Sequence, residues 1–218
     1  GAHHDLRGFA LHLAELGVSA ASMGHRHLEK DVKTGAELVE DIKLAAQRTV
    51  DEAGLLEASD RGVFLLGSGS GSLPMLAAAW QLANDRSTKL RVRGVIACGV
   101  TPSPVAWEGC PLALTKMLHS YAGLTPGPFN PMELRADGFP PALFLHGDAD
   151  QDVPTKAAQK LQQRMTEAGD VCHFVPITGA GHHFIENPFD RLARSALDRI
   201  VPFVQEHGAD PEMHHARA

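Results

Sequence analysis

Three short segments carry residue types that could do acid–base and nucleophilic chemistry. Residues 146–154 read His146-Gly147-Asp148-Ala149-Asp150-Gln151-Asp152-Val153-Pro154, and residues 179–184 read Gly179-Ala180-Gly181-His182-His183-Phe184. A histidine acting as a general base near neutral pH needs a carboxylate on its other ring nitrogen, which fixes the tautomer and stabilises the imidazolium. One segment offers carboxylates and the other imidazoles. The third segment, Gly67-Ser68-Gly69-Ser70-Gly71-Ser72, offers hydroxyls on a backbone that can turn sharply. A hydroxyl whose proton passes to the histidine is a nucleophile suited to an acyl carbon. The other histidine pairs, His3-His4, His25 with His27 and His214-His215, lack the i, i+4 helical spacing or a cysteine partner, so no metal site is expected.

The elements that must position these residues follow from hydropathy. Gly17 to Met23, Val63 to Leu66, Val92 to Cys98, Ala142 to Leu145 and Cys172 to Ile177 are short apolar runs, several of them apolar on consecutive residues. Such runs predict strands buried on both faces, as in a parallel sheet. Between them lie helix signals. Residues 6–16 predict a first helix. Thr34 with Glu37 forms a capping box before the stripe Leu38, Ile42, Ala45, Ala46, Val50 and Ala53, closed by Gly54. Residues 76–83 are alanine-rich. A helix from Thr155 places Ala158, Leu161, Met165 and Ala168 on one face and stops at Gly169. The last helix takes Asn187 as cap and Pro188 as its first residue, turns Leu192, Ala196, Ile200 and Phe203 inward, and is kinked near its end by Pro202. Strand then helix, repeated, predicts right-handed βαβ units in a doubly wound sheet, with ligands bound beyond the carboxyl ends of the strands. The three chemical segments stand at such ends.

On these loops the chain resembles the α/β-hydrolase superfamily, and within it the esterase/lipase and dienelactone-hydrolase-like groups, whose acid lies in an HGxxDxxVP loop and whose base lies in a GxGH loop. The resemblance implies an α/β fold with helices on both faces of a mostly parallel sheet, Asp150 as the acid and His182 as the base. Asp148 and Asp152 are left as turn and cap residues, and His183 is the competitor of His182. The order, acid before histidine with the nucleophile upstream, is that of the fold.

The nucleophile segment departs from the family's G-x-S-x-G. Aligning Gly67 and Gly71 with the two glycines puts Gly69 where the nucleophile belongs, and a glycine cannot attack. A slip of one residue makes Ser70 the nucleophile between Ser68 and Ser72; Ser68 is the third register. The oxyanion loop that the resemblance implies falls on Gly1-Ala2-His3, with Gly71 as the backbone donor after Ser70. The strands that ordinarily come earlier in the fold do not precede this loop, so the chain reads either as a fragment or as a reduced domain of about five parallel strands, with an apolar edge that association of copies could cover. The proline-rich segment 101–140 corresponds to a short cap-like insertion. It includes a helix over 112–122, and Trp107, Met117, Tyr121 and Phe129 are candidates either to line an acyl or aromatic pocket or to pack over the end of the sheet.

Composition bounds the rest. With 218 residues, 44% hydrophobic and 21% charged, the chain is long enough for one large core. Residues 1–208 read as a single domain and 209–218 as a flexible tail. A formal charge of −6 and a pI near 6.1, with scattered basic residues, argue against nucleic acid or an anionic membrane as the main partner. No apolar run reaches the roughly 18 to 20 residues of a membrane span. Cys98, Cys110 and Cys172 lack metal spacing and read as free thiols of a reducing, cytoplasmic compartment. Two functions are carried forward: a carboxylic ester hydrolase without cofactor, acting on a small-molecule ester through Ser70, His182 and Asp150, and a non-catalytic relative with Gly69 at the nucleophile position that binds a ligand or partner. A peptidase of the prolyl-oligopeptidase type shares the two loops and stands third.

Overall fold

The computed structural model describes residues 6–24, 26, 31, 34–54, 62–103, 105–107, 110–119, 132 and 138–208. Four parallel strands, β1 (Val63–Ser68), β2 (Val92–Cys98), β3 (Ala142–Gly147) and β4 (Cys172–Ile177), lie side by side in chain order. Among the described residues six α-helices accompany them: α1 (Arg7–Glu15), α2 (Gly35–Asp51), α3 (Ser72–Asn84), α4 (Leu112–His119), α5 (Thr155–Glu167) and α6 (Arg191–Gly208). A parallel pair needs a crossover, and α3, α4 and α5 stand in the three crossovers between successive strands.

Two apolar clusters cover the faces of the sheet. Leu38, Val39 and Ile42 of α2, Leu73 and Leu76 of α3 and Ala158, Leu161 and Met165 of α5 pack with Val95, Ala97, Ala142 and Phe144. Phe9 and Leu13 of α1 and Ala193, Ala196, Leu197, Ile200 and Phe203 of α6 pack with Ile96, Cys98, Leu143 and Leu145. Alternate residues of one strand thus enter opposite clusters, so the runs are continuous rather than alternating. Every residue of β3 is buried, whereas β1 is half-buried at Val63, Phe64, Leu65 and Leu66. On the other edge, β4 tolerates Pro176, which cannot donate to a ladder.

Three expectations need correction. The run 17–23 forms no strand: residues 18–24 carry no ladder, Val18 packs with the α1/α6 cluster, Met23 packs with the opposite one, and residues 19–22 between them are exposed. The segment therefore passes from one face to the other instead of joining the sheet, which has four strands among the described residues. The last helix starts at Arg191 rather than Pro188. Asn187 Oδ1 accepts only a local turn bond from the Phe189 amide, while Asp190 Oδ1 accepts the Leu192 amide in the first turn of the helix. Leu192, expected inward, is half-buried, and Ala193 and Leu197 join Ala196, Ile200 and Phe203 inside. The capping box does form, the Thr34 amide donating to Glu37 Oε2 at 3.1 Å, and Gly169, with φ +94°, follows α5. Gly1, Ala2, Tyr121, Phe129 and the tail 209–218 lie outside the described residues, as does the side chain of Met117.

Candidate active site

Strand register sets the site. Ser68 pairs with Cys98, Cys98 with Leu145 and Leu145 with Val175, so one row of residues crosses the sheet near its carboxyl edge. The loops that follow β1, β3 and β4 therefore emerge at one level. Gly147, the last residue of β3, lies so close to Ala180 that any Cβ there would collide with the Ala180 backbone. Two further bonds hold these loops together, Ala149 N–H to Ala180 O at 3.0 Å and Gly179 N–H to Asp148 Oδ1 at 2.7 Å. Asp148 is thus a tie between the loops.

This scaffold brings Asp150 and His182 together. The Asp150 carboxylate is fully buried and its Oδ2 lies 2.8 Å from His182 Nδ1, a ring that is only 9% exposed. Oδ1 accepts the amides of Asp152 and Val153, each at 2.9 Å. Burial alone would push this carboxyl up. Hydrogen bonds from His146, His182 and the Val153 amide, with charge attraction to His182, outweigh it and hold Asp150 well below the usual carboxylate range. A carboxylate that stays ionised and accepts from Nδ1 leaves Nε2 of His182 as the ring's proton-accepting atom. His183 is set apart: it is exposed and pairs with Glu186 at 2.6 Å.

The Nε2 atom faces Gly69. A Cβ built on Gly69 would stand 2.9 Å from it, and Gly69 has φ +54°, a left-handed conformation in a short 3-10 turn, Gly69–Gly71, between β1 and α3. Gly67, two residues earlier, also approaches closely, its notional Cβ 3.0 Å from the Cα of Ser72, while nothing lies within 4 Å of one on Gly71. The strand-to-helix turn thus directs position 69 at His182 Nε2. Ser70 follows it, half-buried, and Ser68 precedes it with a buried Oγ that has no partner among the described residues. Trp107 is half-buried and packs against the α2/α3/α5 cluster.

Sequence reasoning missed three groups that shape this turn. Ser72 Oγ, fully buried, donates to Gly69 O at 2.7 Å and accepts the Thr101 amide at 3.0 Å; Thr101 Oγ1 adds a bond to Gly69 O at 3.3 Å. The elbow carbonyl is thereby tied to the loop after β2. Gly99, with φ +64°, gives the His182 ring its other wall, since a Cβ there would lie 2.9 Å from His182 O and 3.2 Å from Nδ1. Position at a strand's carboxyl end was the available signal for Gly99 and Thr101.

Asp150, Asp152 and His182 form the group among the described residues with ligand atoms close enough for a metal, within 4.8 Å of one another. Both Asp150 oxygens already face N–H groups. A cation there would displace these bonds. Cys98 and Cys172 are buried free thiols and Cys110 is half-buried; burial pushes the Cys98 thiol up to about 12, far from a reactive thiolate.

Fold and site together define an α/β-hydrolase architecture with an Asp–His pair at the carboxyl edge of the sheet. Solved structures share this fold. An esterase of Pyrobaculum calidifontis superposes with a TM-score of 0.76 at 17% identity, covering 96% of this chain and 73% of that one. Esterase 2 of Thermogutta terrifontis, in a form phosphoramylated by tabun, gives 0.74 at 21% identity, covering 94% and 78%. In sequence the chain is similar to a Methylorubrum extorquens protein provisionally named a carboxymethylenebutenolidase, 25% identical over 184 residues. That match covers 84% of this chain and 60% of the relative's length. No known family profile matches the chain.

Proposed function

We propose that the chain hydrolyses small carboxylic esters, with His182 as general base and Asp150 as the carboxylate that orients it. One observation carries this reading: the 2.8 Å contact between Asp150 Oδ2 and His182 Nδ1, with Nε2 aimed at the strand-to-helix turn. The esterase names borne by structures of this fold support it. In the covalent route Ser70 Oγ attacks the carbonyl carbon as its proton passes to His182, the alcohol leaves with that proton, and water releases the acid by the reverse transfers. Gly71 N–H would hold the oxyanion, together with the segment Gly1-Ala2, and Trp107 would flank the acyl group. In the direct route a water standing over Gly69 gives its proton to His182 as its oxygen attacks the carbonyl carbon, the C–O bond to the alcohol breaks, the alcohol leaves with that proton, and no acyl-enzyme forms.

The bare Cα of Gly69 favours a second reading, in which the chain binds an acyl-like ligand or a partner without turnover. A fluorophosphonate probe with peptide mapping, run beside turnover of a small activated ester, separates the three. Label on Ser70 that vanishes in Ser70→Ala supports the covalent route. Turnover without label supports the direct route, and neither label nor turnover supports the silent relative.

A further inference from the structure

His146 is the penultimate residue of β3 and has no solvent exposure. Its Nε2 lies 2.9 Å from the carbonyl oxygen of Val153 and 3.2 Å from Asp150 Oδ2. Both atoms only accept, and the Val153 carbonyl stands in hydrogen-bond geometry, which places a proton on Nε2. The other nitrogen, Nδ1, is buried and has no partner among the described residues. A second proton there would leave an N–H buried without an acceptor. Phe174 of β4 stacks beside the ring at an interplanar angle of 29°, centroids 6.2 Å apart. The ring is therefore held as a one-proton donor that points into the loop 148–154.

That loop delivers the acid. Asp150 Oδ1 is fixed by two backbone amides, while Oδ2, the oxygen that serves His182, also lies 3.2 Å from His146 Nε2. We propose that His146 is a positioning residue for the Asp–His pair: its shared Nε2–H clamps Oδ2 and the Val153 carbonyl in one geometry. A neutral donor suits this place because it orients the carboxylate and leaves its negative charge for the imidazolium of His182. A lysine or arginine would neutralise that charge. The proposal rests on the reading of His182 as base for its kinetic consequence, though not for its structural one.

The test uses the full chain. Histidine ¹⁵N spectra should show His146 with a protonated Nε2 and a bare Nδ1, and the reverse tautomer would overturn the proposal. The proton on His182 Nδ1, bonded to Asp150, should give a far-downfield line. In His146→Met, which keeps an apolar packer and removes the donor, the line should move or vanish, and in His146→Gln, whose amide reaches a similar place, it should return. A line unchanged in both variants, or altered equally in both, would show that His146 acts through packing alone. Ester turnover, where the chain has it, should lose kcat by about tenfold to a hundredfold in His146→Met with KM little changed, as for outer partners of functional histidines. Absence of turnover in the unmodified chain counts against the hydrolase reading and leaves the spectroscopic result standing.

Discussion

The carboxyl ends of β3 and β1 supply the two halves of one site, and they are furnished differently. After β3, every atom of the acid has a partner: two amides on Asp150 Oδ1, two imidazoles on Oδ2, and Asp148 tying the loop to its neighbour. After β1, the backbone is held with equal care, since Ser72 and Thr101 fix the carbonyl of Gly69, yet the position facing His182 Nε2 carries no side chain. Strand burial runs parallel: β3 is buried throughout, and β1 is a half-buried edge. The His182 ring is thus held by the loops after β3 and β4, independently of what the turn opposite presents.

The sharpest break of the comparison is at the furnished end. Asp150→Asn should retain the fold and lower ester turnover on the order of 10⁴-fold, because His182 loses its tautomer and its counter-charge; steady-state kinetics with circular dichroism check both. At the bare end the opposite change is expected. Gly69→Ser should raise turnover on the order of 10³-fold and create a phosphonate-labelled serine at 69, since base and acid already face that position. Its left-handed φ should cost about 1–3 kcal/mol of stability, measurable by denaturant titration, and the His182 ring must move back by a few tenths of an ångström. If the substitution folds and adds nothing, Nε2 is not available as a base.

A third variant tests how the two loops of the furnished end are held. Gly147→Ala drives a methyl into the Ala180 backbone, so a loss of about 3 kcal/mol is expected, with the Asp150–His182 contact disturbed at the same time. Gly71→Ala, where nothing lies within 4 Å, is the neutral control. The smallest effect concerns pH. Asp150 is depressed in the folded state, so its ionised form contributes stability above the unfolded carboxylate value of about 3.9, and that contribution is lost as pH falls further. The stability difference between the unmodified chain and Asp150→Asn should stay level from neutral pH to about pH 4 and shrink below it. A difference that already fades between pH 7 and 5 would mean that the carboxyl is not depressed.

How far the sequence revealed this site differed between the same two ends. The loops after β3 and β4 were legible because single polar residues stand at fixed offsets from buried runs, so Asp150 and His182 could be named and are found in contact. The turn was not, because Gly67 to Ser72 alternates glycine and serine with a period of two. A slip of one residue changes which type faces the base without disturbing the spacing. Only the positive φ of Gly69 and the close approach of Gly67 to Ser72 show which residue points at His182. The run 17–23 failed as a strand for another reason: its residues 19–22 are exposed, and its half-buried Val18 and Met23 pack on opposite faces of the sheet. Asn187-Pro188 imitated a helix start that Asp190 makes three residues later. The donor role of His146 was hidden because a histidine inside an apolar run reads as core until its ring nitrogens are placed.

Turnover of a small activated ester by the unmodified chain, beside His182→Gln at the same concentration, tests the central claim most directly. Hydrolysis by the unmodified chain that His182→Gln abolishes is the expected result. Equal rates from the two proteins, or no hydrolysis by a folded unmodified chain, would contradict it.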